Sequence, residues 1–346
     1  MQRRDLLKLS PLALASTAVG YTALAEAPAP AASAAEAIFN VRAFGATGNG
    51  KTVDTPAINK AIAEIASKGG GTLIFPAGTY VCFTIRLASN VALYLLHGCT
   101  ILAADSPKPD QTTGYNGGTY DPAGPPQAWE SFQDYGHNHW PNSLFYGEGL
   151  HDISITGPGL IHGKGLSHGS RVTESRGGYT PFKAEQAGVG NKSIALKNCR
   201  NVLLRDFSIL KGGHFALLAT GVDNLTIDNL LVDTDRDGFD IDCCRNVRVS
   251  NCTVNSPWDD AICPKSSYAL GYARSTDNVT IANNYVTGTY ELGTVMDGTW
   301  KKMGGRRSYR PQRPHQVRHR IQWRLPQYHH HRQRDRGMQG HLAGIL

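Results

Sequence analysis

The chain has 346 residues, room for one large domain or two ordinary ones. Its formal charge of +7 is uneven: residues 301–346 hold 12 Lys and Arg against one acid, Asp335. The other 300 residues carry 23 basic and 27 acidic side chains, which excludes a uniformly basic nucleic-acid-binding face.

At the N-terminus, Arg3-Arg4 precedes a modest apolar run and the small-x-small site Ala23-Leu24-Ala25. This predicts a twin-arginine-type export signal over residues 1–25 and an Ala/Pro linker over 26–37. The apolar run is too short for a membrane span, and export places the protein in the periplasm or outside the cell. Seven cysteines are too few for a disulfide scaffold at this length, and none has zinc-type spacing.

The folded part is expected from residue 38. Thr55 can cap a helix whose first residue is Pro56, with Ile58, Ile62 and Ile65 on one face and Gly69-Gly70-Gly71 ending it. Such a helix suits the blunt cap that a solenoid needs over an open end. Residues 106–149 form a polar, aromatic-rich insertion, expected to wall a cleft and offer exposed Tyr and Trp for sugar stacking.

Short strands with Gly, Asn and Asp turns fill the rest. Asparagine-led segments begin at Asn201, Asn224, Asn246 and Asn278; the first two steps are nearly equal, and the third is lengthened by SSYALGYARS. Strands without intervening helices exclude a Rossmann or TIM arrangement, and the repeat favours a β-helix over a sandwich. The predicted fold is all-β: a single-stranded right-handed parallel β-helix over residues 38–302.

Two acidic motifs one period apart, TDRDGFDID and SPWDDAICPKS, place Asp237, Asp259 and Asp260 side by side on one outer surface. Glycoside hydrolysis by inversion needs a protonated carboxyl and a carboxylate that activates water, roughly 6.5–9.5 Å apart. Asp259 and Asp260 can face one side only at a bend, which Pro257-Trp258 makes feasible. Lys265, Arg236 and Asp240, in the same motifs, are candidate substrate-binding residues. A competing reading of Asp233, Asp235, Asp237, Asp240 and Asp242 is a calcium site.

RDGFDID followed by WDDAICPKS resembles the polygalacturonase-type family of glycoside hydrolases, pectin-cleaving parallel β-helix enzymes. FNVRAFGATGNGKTVDTPAINKAI is similar to the entry segment of its bacterial members. The resemblance implies Asp259 as general acid, with Asp237 and Asp260 activating water. The implied partner is an acidic plant polysaccharide, with no cofactor, no metal, no nucleic acid and a monomeric chain. The family's Asn-Thr is Asp235-Arg236 here, and its Gly-His-Gly would fall near Glu291-Leu292-Gly293, where there is no histidine. Its Arg-Ile-Lys motif is missing as well.

That absence has a reading in the genetic code. Pro314 to Arg324, PHQVRHRIQWR, can be encoded so that dropping one base yields RIKFGTESNG. Residues 303–346 are therefore expected to be a frame-shifted, unfolded tail, leaving the β-helix incomplete and its activity low. The rival functions are a β-helix polysaccharide lyase and a non-catalytic carbohydrate-binding β-helix.

Overall fold

The structure, a computed structural model, describes residues 38–133, 135–168 and 183–302. The expected signal, linker and frame-shifted tail lie outside the described residues.

Three parallel sheets run the length of the molecule, two of eight strands and one of six, each coil contributing one strand to a sheet in turn. The third sheet holds Ile85–Arg86, Ser143–Glu148, Lys192–Lys197, Phe215–Thr220, Asp237–Asp242 and Ile262–Lys265. This is the expected parallel β-helix. The coil step follows the sequence repeat: Asp223 pairs with Arg245, and Arg245 with Asp277, across the lengthened coil.

Alternation along each strand points one set of side chains into the coil, and parallel register stacks like on like. Leu93, Ile155, Leu204, Ile227, Val249 and Ile281 form one such file in the first sheet. All but Ile281 are buried, and each buried aliphatic side chain is worth about 1.5–3 kcal/mol.

The repeated asparagines have a backbone role. Asn201, Asn224, Asn246 and Asn278 all adopt left-handed φ of 53–56°, a conformation Asn tolerates better than other residues with a Cβ. Each side-chain amide donates to the rung before it: Asn224 to Asn201 at 2.9 Å, Asn246 to Asn224 and Asn278 to Asn246 at 3.2 Å. Asn201 in turn donates to Asp152 at 2.8 Å. The ladder pins the register of successive coils, and so the alignment of the acidic motifs.

The helix forms over Thr55–Ser67, with Ile58, Ile62 and Ile65 buried against the first coils. Its cap position is Asp54, one residue before the expected Thr55, but the Asp54 carboxylate serves the preceding loop. It accepts from the backbone of Thr47 at 2.7 Å and Gly48 at 3.0 Å. The Thr55 hydroxyl is occupied too, accepting from Phe83 N at 2.7 Å.

The insertion is partly built into the coil and buries two of the aromatic side chains expected to be exposed. Its last part, Ser143–Glu148, is a strand of the third sheet, and it also carries a short helix, Tyr135–Asn138. Tyr120 and Trp140 are buried rather than exposed. Trp140 joins Ala195, Phe215, Leu218 and Ala269 in a small apolar cluster on the outer face of the third sheet. The seven cysteines are buried and unbridged. Among the described residues, no helix is long and apolar enough to cross a membrane.

Candidate active site

The third sheet delivers the acidic motifs. Asp237 opens the strand Asp237–Asp242, stacked on Phe215 of the rung before it. Phe239 and Ile241 alternate inward into the core, while Asp240 and Asp242 lie on the opposite, outer face. Phe239 pairs with Ile262 and Asp240 with Cys263, and that register carried back along both chains aligns Asp260, rather than Asp259, with Asp237. The backbone agrees: Gly238 N donates to Asp260 O at 2.9 Å.

Asp259 reaches the site because the chain bends over residues 257–259. The bend is fastened to the rung below it. The Ser256 hydroxyl lies 2.6 Å from the Arg236 carbonyl and 2.9 Å from the Asp259 carbonyl, and Trp258 N donates to Asp235 O at 3.2 Å. Asp237, Asp259 and Asp260 consequently converge, with carboxylate oxygens all within 4.8 Å of one another. Among the described residues they are the one such grouping of three His, Cys, Asp or Glu side chains. Those oxygens are closer than the roughly 6.5–9.5 Å expected for a water held between an acid and a base.

The five aspartates of the calcium reading do not converge. Asp233 accepts from Asn255 at 2.8 Å and from Val295 N at 2.9 Å. Asp235 lies 3.2 Å from His168, and Asp242 accepts from Ser267 N at 2.9 Å.

Electrostatics separates the acids. Asp237 is 6 % exposed. Burial, followed by the charges of Asp240 and Asp259, pushes its carboxyl well above the usual range, and Lys265 and Arg236 offset this only in part. Asp240 is the opposite case. Burial would raise it, but the Lys265 charge and the hydrogen bond from His137 outweigh that and hold it low. Lys265 Nζ is 2.7 Å from Asp240 Oδ2, and His137 Nε2 is 3.1 Å from the same oxygen.

Two candidate substrate contacts are corrected here. Asp240 is fully buried, and Lys265 is committed to it, so this pair supports the site from beneath. Arg236 stays near the surface, but its Nη2 binds Asp259 Oδ2 at 3.0 Å. The sequence reading missed His137 and Ser256. His137 lies in the YGHNHW stretch of the insertion, and its ring sits 4.8 Å from that of Phe215. Trp129 Nε1 to Ala269 O at 3.1 Å and Gln133 Nε2 to Ser267 Oγ at 2.8 Å fasten the insertion to the loop after Lys265. The exposed aromatic side chain next to the acids is Trp258, outside the insertion.

Comparison with known proteins accords with this geometry. Residues 127–293, which include all three acids, match the model of glycosyl hydrolases family 28. Residues 38–94 match a rhamnogalacturonase A/epimerase, pectate lyase-like model. In sequence the chain is thus similar to family 28 glycosyl hydrolases over residues 127–293, and to polygalacturonases among its relatives. A "Probable polygalacturonase" of Vitis vinifera is 25 % identical over 280 residues, 74 % of this chain and 51 % of the relative. An exo-poly-alpha-D-galacturonosidase of Dickeya chrysanthemi is 29 % identical over 163 residues, 46 % of this chain and 25 % of the relative. The chain thus spans about half the length of the first relative and a quarter of the second. The fold is that of the Yersinia enterocolitica family 28 exopolygalacturonase, at TM-score 0.54 and 22 % identity over 72 % of this chain and 48 % of that one. A Thermotoga maritima exopolygalacturonase gives TM-score 0.54 and 20 % identity, over 72 % of this chain and 60 % of that one.

Proposed function

We propose that this protein is an exported hydrolase that cleaves polygalacturonate or a related acidic pectin chain by inverting acid/base chemistry, without a cofactor. The observation that carries the reading is the convergence of three acids, one of them buried with a raised pKa. A carboxyl kept protonated near neutral pH can give its proton to the glycosidic oxygen, while an ionised neighbour draws a proton from water. Export is supported by Arg3-Arg4 and the apolar run that follows.

The closeness of the three carboxylates, with oxygens within 4.8 Å of one another, favours one alternative, retention through a covalent intermediate, which uses carboxyls only about 5–5.5 Å apart. Three acids rather than two support inversion, because two carboxylates can polarise one water from the same side.

The test is incubation of the purified chain, in parallel with a frame-restored version, on polygalacturonate and rhamnogalacturonan. Reducing ends, ultraviolet absorbance and the anomeric proton signals of the first product are followed. Saturated products with inverted configuration are expected. Unsaturated products would mean a lyase, and retained configuration would mean the covalent route. Activity unchanged in Asp259→Asn would end the catalytic reading.

A further inference from the structure

The second sheet includes Leu160–His162, Ser208–Leu210 and Leu231–Asp233, and the turns that leave it for the third sheet form one column. Asp237, Asp259 and Asp260 stand in that column. Followed back from Asp233, it meets Leu210 and then His162, which share one register position on successive coils about 4.8 Å apart. Ile161 is buried in the core, so His162 faces outward. Lys164 and Lys211 lie just past these strand ends. Lys211 N donates to Asp233 O at 2.8 Å, and Gly163 packs on the Lys211 carbonyl so closely that a Cβ would come within 2.0 Å of it. Three basic side chains therefore gather one and two coils before the acids, about 5–10 Å from the coil of Asp237. His168, 3.2 Å from Asp235, links this cluster to the acidic rung.

The backbone at Lys211 is unusual. Its φ is 56°, a left-handed value that the other described non-glycine residues reach only as Asn, Asp or Cys243. Asparagine would hold this turn with less strain, so the turn alone does not account for a lysine here. His162 is shaped by its neighbours as well. Burial, followed by the charges of Lys211, Lys164 and His168, pushes its ring down to about 4, so it is neutral at neutral pH. Nδ1 accepts the Lys164 N–H at 3.2 Å, which puts the hydrogen of the neutral ring on Nε2 as a donor.

We propose that Lys164, Lys211 and His162 form a subsite for the carboxylate of a uronic acid unit next to the bond that is cleaved. Two ammonium groups and an imidazole N–H offer donors to a group with two acceptor oxygens. A neutral sugar or a methyl ester offers them no charge. The inference rests on the hydrolase reading above for the bond that is cleaved, and it narrows the substrate to a chain with a free carboxylate at this position. It also gives the site a polarity, basic toward the earlier coils and acidic at Asp237, Asp259 and Asp260.

The experiment is calorimetric titration of the full chain, carrying Asp259→Asn to stop turnover, with trigalacturonate, its methyl triester and inorganic phosphate. Lys164→Gln and Lys211→Asn are added singly, asparagine being suited to the Lys211 backbone, and thermal unfolding checks that each variant folds. Trigalacturonate should bind at least about tenfold more tightly than the triester. Each lysine variant should weaken trigalacturonate about tenfold and leave the triester within about twofold. Lys68→Gln, at the end of the N-terminal helix and paired with Glu64, should change neither. Equal affinity for trigalacturonate and triester, or folded lysine variants that bind trigalacturonate as tightly as the parent, would overturn the proposal. Binding of phosphate without trigalacturonate would reduce the cluster to an inorganic anion site and overturn it too. Cleavage is then followed with Asp259 restored. Charge-dependent binding without cleavage would sink the hydrolase reading and keep the carboxylate site, whereas cleavage with KM unmoved by either lysine variant would sink the subsite alone.

Discussion

Replacing Asp237 by asparagine should stabilise the protein at neutral pH while removing its activity. The side chain is 6 % exposed and lies among like charges. With carboxylate oxygens within 4.8 Å of one another and an effective dielectric constant of about 20, each ionised neighbour in the trio costs an ionised Asp237 about 3.5 kcal/mol or more. Arg236 and Lys265 offset this only in part. The folded-state pKa lies above the unfolded value of about 3.9, so between the two the native state binds the extra proton. Wild-type stability therefore falls as pH rises through that window, and the asparagine variant escapes the fall. Its advantage should be absent below about pH 4 and grow as pH rises above that. Urea unfolding of both proteins at several pH values measures it. An advantage that does not change with pH, or an asparagine variant less stable at the alkaline end, would refute the placement of Asp237 among uncompensated charges.

Lys265→Met should cost about 3–5 kcal/mol, because it strips the main counter-charge from a fully buried Asp240. Lys265→Met with Asp240→Leu should recover most of that in thermal unfolding; a double variant as unstable as the single would contradict it. Asn224→Ala should lose about 1–2 kcal/mol, from left-handed strain and the amide bonds to Asn201 and Asn246, and Asn224→Gly should lose less. Equal losses in the two variants would remove backbone strain from the account. If residues 303–346 are a frame-shifted product, restoring the reading frame there should raise both Tm and activity. Val279, Ile281 and Val286 pack only partly on the core, and an added coil would gain about 1.5–3 kcal/mol for each one it buries fully. An unchanged Tm would count against the frameshift.

The fold was legible because a β-helix writes its period into the chain. Asn201, Asn224, Asn246 and Asn278 mark a backbone position that adopts left-handed φ once in each coil, as Asp206, Asn229, Asn251 and Asn283 mark a second, so the spacing of asparagines is the spacing of coils. The acids were legible for the same reason, though the period misplaced them by one residue. Leu217 pairs with Phe239 and Phe239 with Ile262, so the step lengthens by one residue between these rungs, and only backbone pairing shows the change. Helix capping misled at Thr55 because capping rules weigh a residue against its own helix, whereas Phe83 N, in the bend just after a later strand, claims the Thr55 hydroxyl.

What could not be read is how the charges are apportioned. Asp240 and Lys265 look like surface residues of an acidic motif until the insertion is folded over them, and the contact that matters, His137 to Lys265, spans 128 residues of sequence. Arg236 looks like a substrate clamp for the same reason: a cation beside carboxylates in sequence has no visible partner. In three dimensions the partner is Asp259, one coil away and bent toward it through Ser256. Periodicity can bring acids together, but it cannot say which one receives the proton. That depends on which cations reach which oxygen, and here Arg236 reaches Asp259 at 3.0 Å while Lys265 reaches Asp240 at 2.7 Å.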